Sequence, residues 1–227
     1  MISVICTNDT LVRDAFANAL SLEKMDDTPQ KTIYQRAKWI LIFFKWEFVQ
    51  EDLEWIVSSY IPDRLYIPYF GTSIDLVHET WDVVVPNVFF SYDPALEGIE
   101  VTGANRDTLI DAPVFLTHLE EQKDYYVEDY GLSVGGIVVQ DTPKVISDEL
   151  ATKLMMAYEA DIYVTNTLRK SLEIAQDEGI PSLILCGITT GKPAKNQGNT
   201  SAIDFTVKNM ITTIRLLEEE SDSVNRE

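Results

Sequence analysis

Leu65-Tyr-Ile-Pro-Tyr-Phe-Gly-Thr-Ser-Ile-Asp75 and the Trp81-Asp-Val-Val-Val85 that follows it decide how the fold is read. Arg64–Phe70 and Trp81–Val85 are short apolar runs bounded by turn residues, so each reads as a buried strand. Working back toward the start, Ile2–Cys6 is a strand followed by a Thr7-Asn8-Asp9 turn. Asp9 or Thr10 then caps a helix from Leu11 to about Leu22, whose face is Val12, Phe16, Ala19 and Leu20. Lys24–Thr32 is polar and contains Pro29, and reads as a loop. Lys38–Phe44 reads as a strand and Glu51–Ser59 as a helix. Working forward, strands are expected at Asn87–Tyr92, at Val114–Leu116 and at Ser133–Gln140. The last of these is continuous and mostly apolar, as a strand buried on both faces should be. Ser147 caps a helix that carries Asp148 and Glu149 in its first turn, where carboxylates meet the helix dipole favourably. Ile162–Val164 and Ser182–Ile188 are further strands around a helix over Thr167–Glu178. A final amphipathic helix covers about Ser201–Glu218. Strands alternating with helices around a strand-rich middle give one α/β domain, residues 1–218, with a large mixed sheet and a frayed acidic tail at 219–227.

Composition narrows the function. Eighteen Lys and Arg stand against 37 Asp and Glu, a formal charge of −19. That excludes nucleic acid and anionic membranes as partners, since both need cationic surface to displace counterions. A small anionic ligand stays allowed, because a local basic or amide-lined pocket can oppose the global field. Two cysteines (Cys6, Cys186) and two histidines (His78, His118) are too few for a zinc cluster or a disulfide framework, which points to a reducing, cytoplasmic setting. The start turns polar at Thr7-Asn8-Asp9, too soon for a signal peptide. The greasiest run, Trp39 to Phe44, is far short of the ~20 residues that span a bilayer. No cofactor is expected.

Three segments, in order, resemble the superfamily of nucleoside phosphorylases and methylthioadenosine/adenosylhomocysteine nucleosidases. Tyr69-Phe70-Gly71-Thr72-Ser73 stands at that family's glycine-rich turn, and Trp81-Asp82-Val83-Val84-Val85 at its G-D-V-V-V, with Trp where glycine is usual. Gly135-Gly136-Ile137-Val138-Val139-Gln140-Asp141 is similar to the strand entering its S-G-D-x-F turn. Gly179-Ile180-Pro181-Ser182 through Cys186-Gly187-Ile188 is similar to its N-V-P-F-x-x-x-R-x-I-S-D. The resemblance covers nearly the whole chain. It implies a three-layer α/β/α fold around a twisted mixed sheet, a homodimer or hexamer, and cleavage of a nucleoside N-glycosidic bond by water or phosphate. Such cleavage needs an acid at the departing base and polar groups on the sugar.

The same alignment exposes departures. Thr190 stands where the family's base-protonating Asp belongs, and a hydroxyl is no proton reservoir at neutral pH. The ribose-gripping E-M-E segment falls on Thr165-Asn166-Thr167, so both carboxylates are replaced. Bulky Trp46 replaces a small residue after the second long strand, where glycine would permit close backbone approach. The candidate catalytic residues are therefore Asp141, Thr190 and Asp9; the candidate substrate-binding residues are Asn8, Gly71, Thr72, Thr165, Asn166, Thr167 and Thr189. Asp141 reads either as a retained acid or as a turn cap, and Asp9 either as part of the nucleophile site or as a helix N-cap. Lys192 and Lys195 lie in a loop without the full phosphate-loop pattern. Tyr125, Tyr126 and Tyr130 read as an oligomer contact or as packing under a loop. Three function classes follow: an N-ribosyl hydrolase or phosphorylase with unusual catalytic groups, an inactive binding or scaffolding paralogue in a homo- or hetero-oligomer, or a different transfer reaction using the hydroxyls of Thr165, Thr167, Thr189 and Thr190.

Overall fold

The computed structural model describes residues 2–46, 50–74, 78–86, 88–96, 131–143, 145–165, 180, 182–191 and 201–224. The expected strand at Val114–Leu116, His118, the three tyrosines, the expected helix over Thr167–Glu178, Asn166, Thr167 and the loop lysines Lys192 and Lys195 lie outside them. The chain divides into two compact units, Met1–Tyr69 with Leu168–Leu185, and Phe70–Thr167 with Cys186–Glu227.

In the first unit the strands lie in the order β2 (Glu23–Asp27), β3 (Lys31–Arg36), β4 (Trp39–Phe44), β1 (Ser3–Thr7), β5 (Arg64–Ser73). β1 runs parallel to both β4 and β5, with Val4 opposite Ile40 on one side and Leu65 on the other. Every residue of β1 is buried, which is why its sequence shows no alternation. Helix α1 (Thr10–Ala19) buries Val12 and Phe16. Helix α2 (Gln50–Tyr60) buries Leu53 and Ile56, and Lys31 of β3 lies over its Trp55 ring.

The polar stretch Lys24–Thr32 is not a loop. It forms β2 and the start of β3, an antiparallel hairpin with a bulge between Lys24 and Asp26. All five β2 residues are exposed, so hydrophobic periodicity carries no signal there. What fixes the hairpin is polar: Thr28 N–H donates to the Lys31 carbonyl at 2.9 Å, and Lys24 and Lys45 both reach Asp27. Charges and a bulge on an edge strand are also what keeps it from pairing with other chains.

The second unit contains two strand groups. The end of β5 pairs antiparallel with β10 (Ile162–Tyr163), which runs parallel to β9 (Ile137–Gln140), itself parallel to β7 (Val88–Ser91). Cys186 and Gly187 of β11 (Ser182–Thr190) pair antiparallel with β6 (Val83–Val85), and β6 runs parallel to β8 (Leu132–Val134). Ser133–Gln140 is thus two strands and not one. Gly135 (φ +85°) and Gly136 (φ +151°) break it, and a Cβ on Gly136 would come within 3.1 Å of Val84 Cγ1. Helix α3 (Asp148–Tyr158) packs Leu150, Leu154, Ala157 and Tyr158 with Ile74, Phe90 and Val139. Helix α4 (Ala202–Val224) continues past the expected end at Glu218 and buries Thr206, Val207, Met210 and Ile214. Parallel and antiparallel pairings with helices make this the mixed α/β fold expected.

Candidate functional site

A cavity of about 400 Å³ opens in the second unit, a volume in the range of small-molecule sites. The end of β5 supplies Thr72, Ser73 and Ile74; β10 supplies Tyr163, directly opposite Thr72 in the ladder. Ile146 and Ser147 lead into α3, whose Asp148, Ala151, Thr152 and Met155 complete the wall. Those four are spaced i, i+3, i+4, i+7, one face of a helix. Ser147 Oγ accepts the Leu150 N–H at 3.1 Å, capping the helix, and the Thr152 hydroxyl donates to the Asp148 carbonyl at 2.9 Å. Ser73 Oγ accepts the His78 N–H at 2.9 Å. Three polar groups on the wall have no intramolecular partner among the described residues: the Thr72 hydroxyl, the Tyr163 phenol and the Asp148 carboxylate.

Beside Ser73 lies a second polar cluster. The Asp82 carboxylate accepts the Glu79 N–H at 2.8 Å and a backbone N–H from Gly131, with His78 Nδ1 at 4.0 Å. Burial pushes the Asp82 carboxyl up from its ordinary value, and the backbone bonds and His78 pull it part of the way back. His78 Nε2 and Trp81 Nε1 are buried and lack hydrogen-bond partners among the described residues. Gly191 closes against this loop: a Cβ there would meet the His78 carbonyl at 2.5 Å.

The candidate residues from the sequence are scattered over this framework. Thr72, alone among the described candidates, lines the cavity. Gly71 is buried beside it, and a Cβ would strike Ile162 Cγ2 at 2.7 Å. Asp9 is the N-cap of α1, its Oδ1 accepting from Leu11 N at 2.7 Å and Val12 N at 3.3 Å, with Asn8 half-buried before it. Asp141 is exposed just after β9, in a left-handed turn conformation (φ +62°). Thr189 is half-buried and Thr190 exposed at the end of β11, and Thr165 is exposed after β10. Trp46 is 52% exposed after β4. Both thiols are buried; burial raises Cys6 and pushes Cys186 up to about 12, so neither is a nucleophile at neutral pH.

Tyr163 and the cavity-facing roles of Asp148 and Thr152 went unread in the sequence. The only signal was the spacing of Asp148, Ala151, Thr152 and Met155 along one face of α3, beside the apolar face that the helix buries. Among the described residues no group of three or more His, Cys, Asp or Glu side chains gathers as a metal site requires, and no helix is long and apolar enough to cross a membrane.

No family model and no curated protein matches the sequence. Solved structures do match the fold. Helicobacter pylori 5′-methylthioadenosine/S-adenosylhomocysteine nucleosidase, solved with butyl-thio-DADMe-Immucillin-A, superposes with a TM-score of 0.70 at 12% identity, over 97% of this chain and 99% of that one. Helicobacter pylori futalosine hydrolase gives 0.67 at 14% identity, over 98% and 99%. The Neisseria meningitidis nucleosidase in complex with methylthio-immucillin-A gives 0.69 at 12% identity, over 96% and 98%. The chain therefore shares the mixed α/β fold of these solved nucleosidases and of futalosine hydrolase, the fold that the sequence motifs implied.

Proposed function

We propose that the protein binds a nucleoside in the manner of the N-ribosyl hydrolases whose fold it shares, with the usual acid of that chemistry replaced by Thr190. The observation that carries this reading is the extent of the fold match: it runs over 98% of this chain and 99% of futalosine hydrolase, leaving no room for an unrelated architecture. The neighbours from Helicobacter pylori and Neisseria meningitidis hold nucleoside-like inhibitors, which supports a nucleoside as the ligand class here. Loss of a general acid forfeits roughly 10²–10⁴ in rate, so binding is expected to outlast efficient turnover. We read the protein as a homo-oligomer in a reducing, cytoplasmic compartment, its two buried free thiols needing no oxidation.

The test is thermal stabilisation by adenosine, inosine, methylthioadenosine and uridine, paired with base release at high protein concentration with and without phosphate. Stabilisation with little or no release is the expected result. Thr190→Asp is then expected to raise base release at least about tenfold by restoring an acid. No stabilisation by any of the four nucleosides would overturn the reading.

A further inference from the structure

We propose that Asp148 grips the sugar diol of the ligand, taking over the task of the carboxylates replaced at Thr165-Asn166-Thr167. The inference rests on the nucleoside reading and adds the residue and the chemical feature it recognises. A vicinal diol offers two adjacent O–H donors, and an ionised carboxylate is an acceptor-only group with two oxygens to receive them. Hydrogen bonds to a charged acceptor are about twice as strong as neutral ones. Asp148 is a carboxylate on the cavity wall, and neither an ion pair nor a hydrogen bond among the described residues engages it. Its neighbour Glu149, by contrast, is taken up by Lys153 at 3.1 Å.

The surroundings suit the same ligand. Thr72 and Tyr163 are paired across β5 and β10, so their two unpartnered hydroxyls sit side by side on the wall. Each can donate to or accept from a further sugar oxygen. Ile74, Ile146, Ala151 and Met155 supply apolar surface for a C–H face or a base. The Ser147 cap and the Thr152 hydroxyl on the Asp148 carbonyl fix the backbone at the start of α3, and the Asp148 side chain itself is exposed.

The experiment measures, by calorimetry on the full chain, the affinity for adenosine, 2′-deoxyadenosine and free ribose in wild type, Asp148→Asn and Glu149→Gln, with circular dichroism to establish that each variant is folded. Wild type is expected to prefer adenosine over 2′-deoxyadenosine by roughly 10- to 100-fold, the weight of a hydrogen bond to a charged acceptor. Asp148→Asn should erase most of that preference, and Glu149→Gln should keep it. An unchanged preference in folded Asp148→Asn overturns the role of Asp148 while leaving the nucleoside reading intact. Binding of ribose that depends on Asp148, with no binding of adenosine, keeps the diol site and overturns the nucleoside reading. Binding of none of the three overturns both.

Discussion

Trp81 has φ +88°, a left-handed conformation that costs a bulky L-residue about 1–2 kcal/mol. The motif it occupies carries glycine in the family that the sequence resembles, and glycine adopts such a conformation without strain. What offsets the strain is packing: the indole stacks on Phe205 at 4.7 Å between centroids, and its carbonyl receives the Asn209 amide at 3.0 Å. Trp81→Ala should therefore destabilise by about 2–4 kcal/mol, as loss of a packed aromatic does. Trp81→Gly removes the same ring but relieves the backbone, and should cost about 1 kcal/mol less than Ala. Urea titrations of the two variants read that order directly, and Ala at least as stable as Gly would refute the strain. The sequence showed the replacement of glycine; it held no sign of Phe205, which lies far along the chain on α4. At the same scale, Cys6 and Cys186 should both resist a thiol reagent at pH 8 in the native protein and react in denaturant, since burial raises both. Fast labelling of either native thiol would contradict their burial.

Among elements, the contact of β11 with α4 is a tight place to probe. A Cβ on Gly187 would lie 2.2 Å from Thr206 Cγ2 and 2.5 Å from Met210 Cε. Met210 can shift, but Thr206 is held by its hydroxyl on the Ala202 carbonyl at 2.7 Å and on Ile188 at 3.2 Å. Gly187→Ala should lower stability by about 1–3 kcal/mol through overpacking, measured as a fall in Tm, while Arg215→Ala at an exposed position of the same helix stays close to wild type. The β2–β3 hairpin invites a different test. Hydrogen bonds from Lys45, Lys24 and Thr32 hold the Asp27 carboxyl well below the usual carboxylate range. A carboxylate with a depressed folded pKa contributes stability above its unfolded pKa and loses it as pH falls through the folded value. Hydrogen exchange of the Thr28 and Lys45 amides should therefore keep its protection through pH 4 and lose it only in stronger acid. Asp27→Asn should remove that dependence, and high salt should weaken it because the group is exposed. The buried strands β1, β4, β5 and β11 were legible as apolar runs because burial on both faces writes hydrophobicity into every position. β2 was not, since an exposed edge strand is held by charges that resemble a loop's; nor was the step between β8 and β9, where two glycines look like small residues within an apolar run.

Over the whole molecule, collinear motifs from Ile2 to the final helix made the architecture readable, because turns and buried strands impose local residue choices. The cavity was less readable. Its wall combines Thr72, Tyr163 and Asp148, whose proximity depends on a β5–β10 pairing across about ninety residues of chain and on the seating of α3. No local signal records such a pairing. The net charge of −19 and Asp148 on the cavity wall act together on what can enter. A dianionic phosphate ester must approach against the field of the whole chain and then sit beside a carboxylate, whereas the unphosphorylated nucleoside meets neither cost. Adenosine should accordingly bind more tightly than its 5′-monophosphate, by roughly tenfold or more near 10 mM salt. The gap should narrow toward 1 M salt, where the screening length falls to about 3 Å, and the affinity for adenosine itself should stay nearly flat. Calorimetric titration of both ligands across that salt series gives the answer. If the monophosphate binds more tightly and salt weakens it, a cationic anion site governs recognition; if adenosine leads and the gap closes with salt, the cavity selects neutral nucleosides.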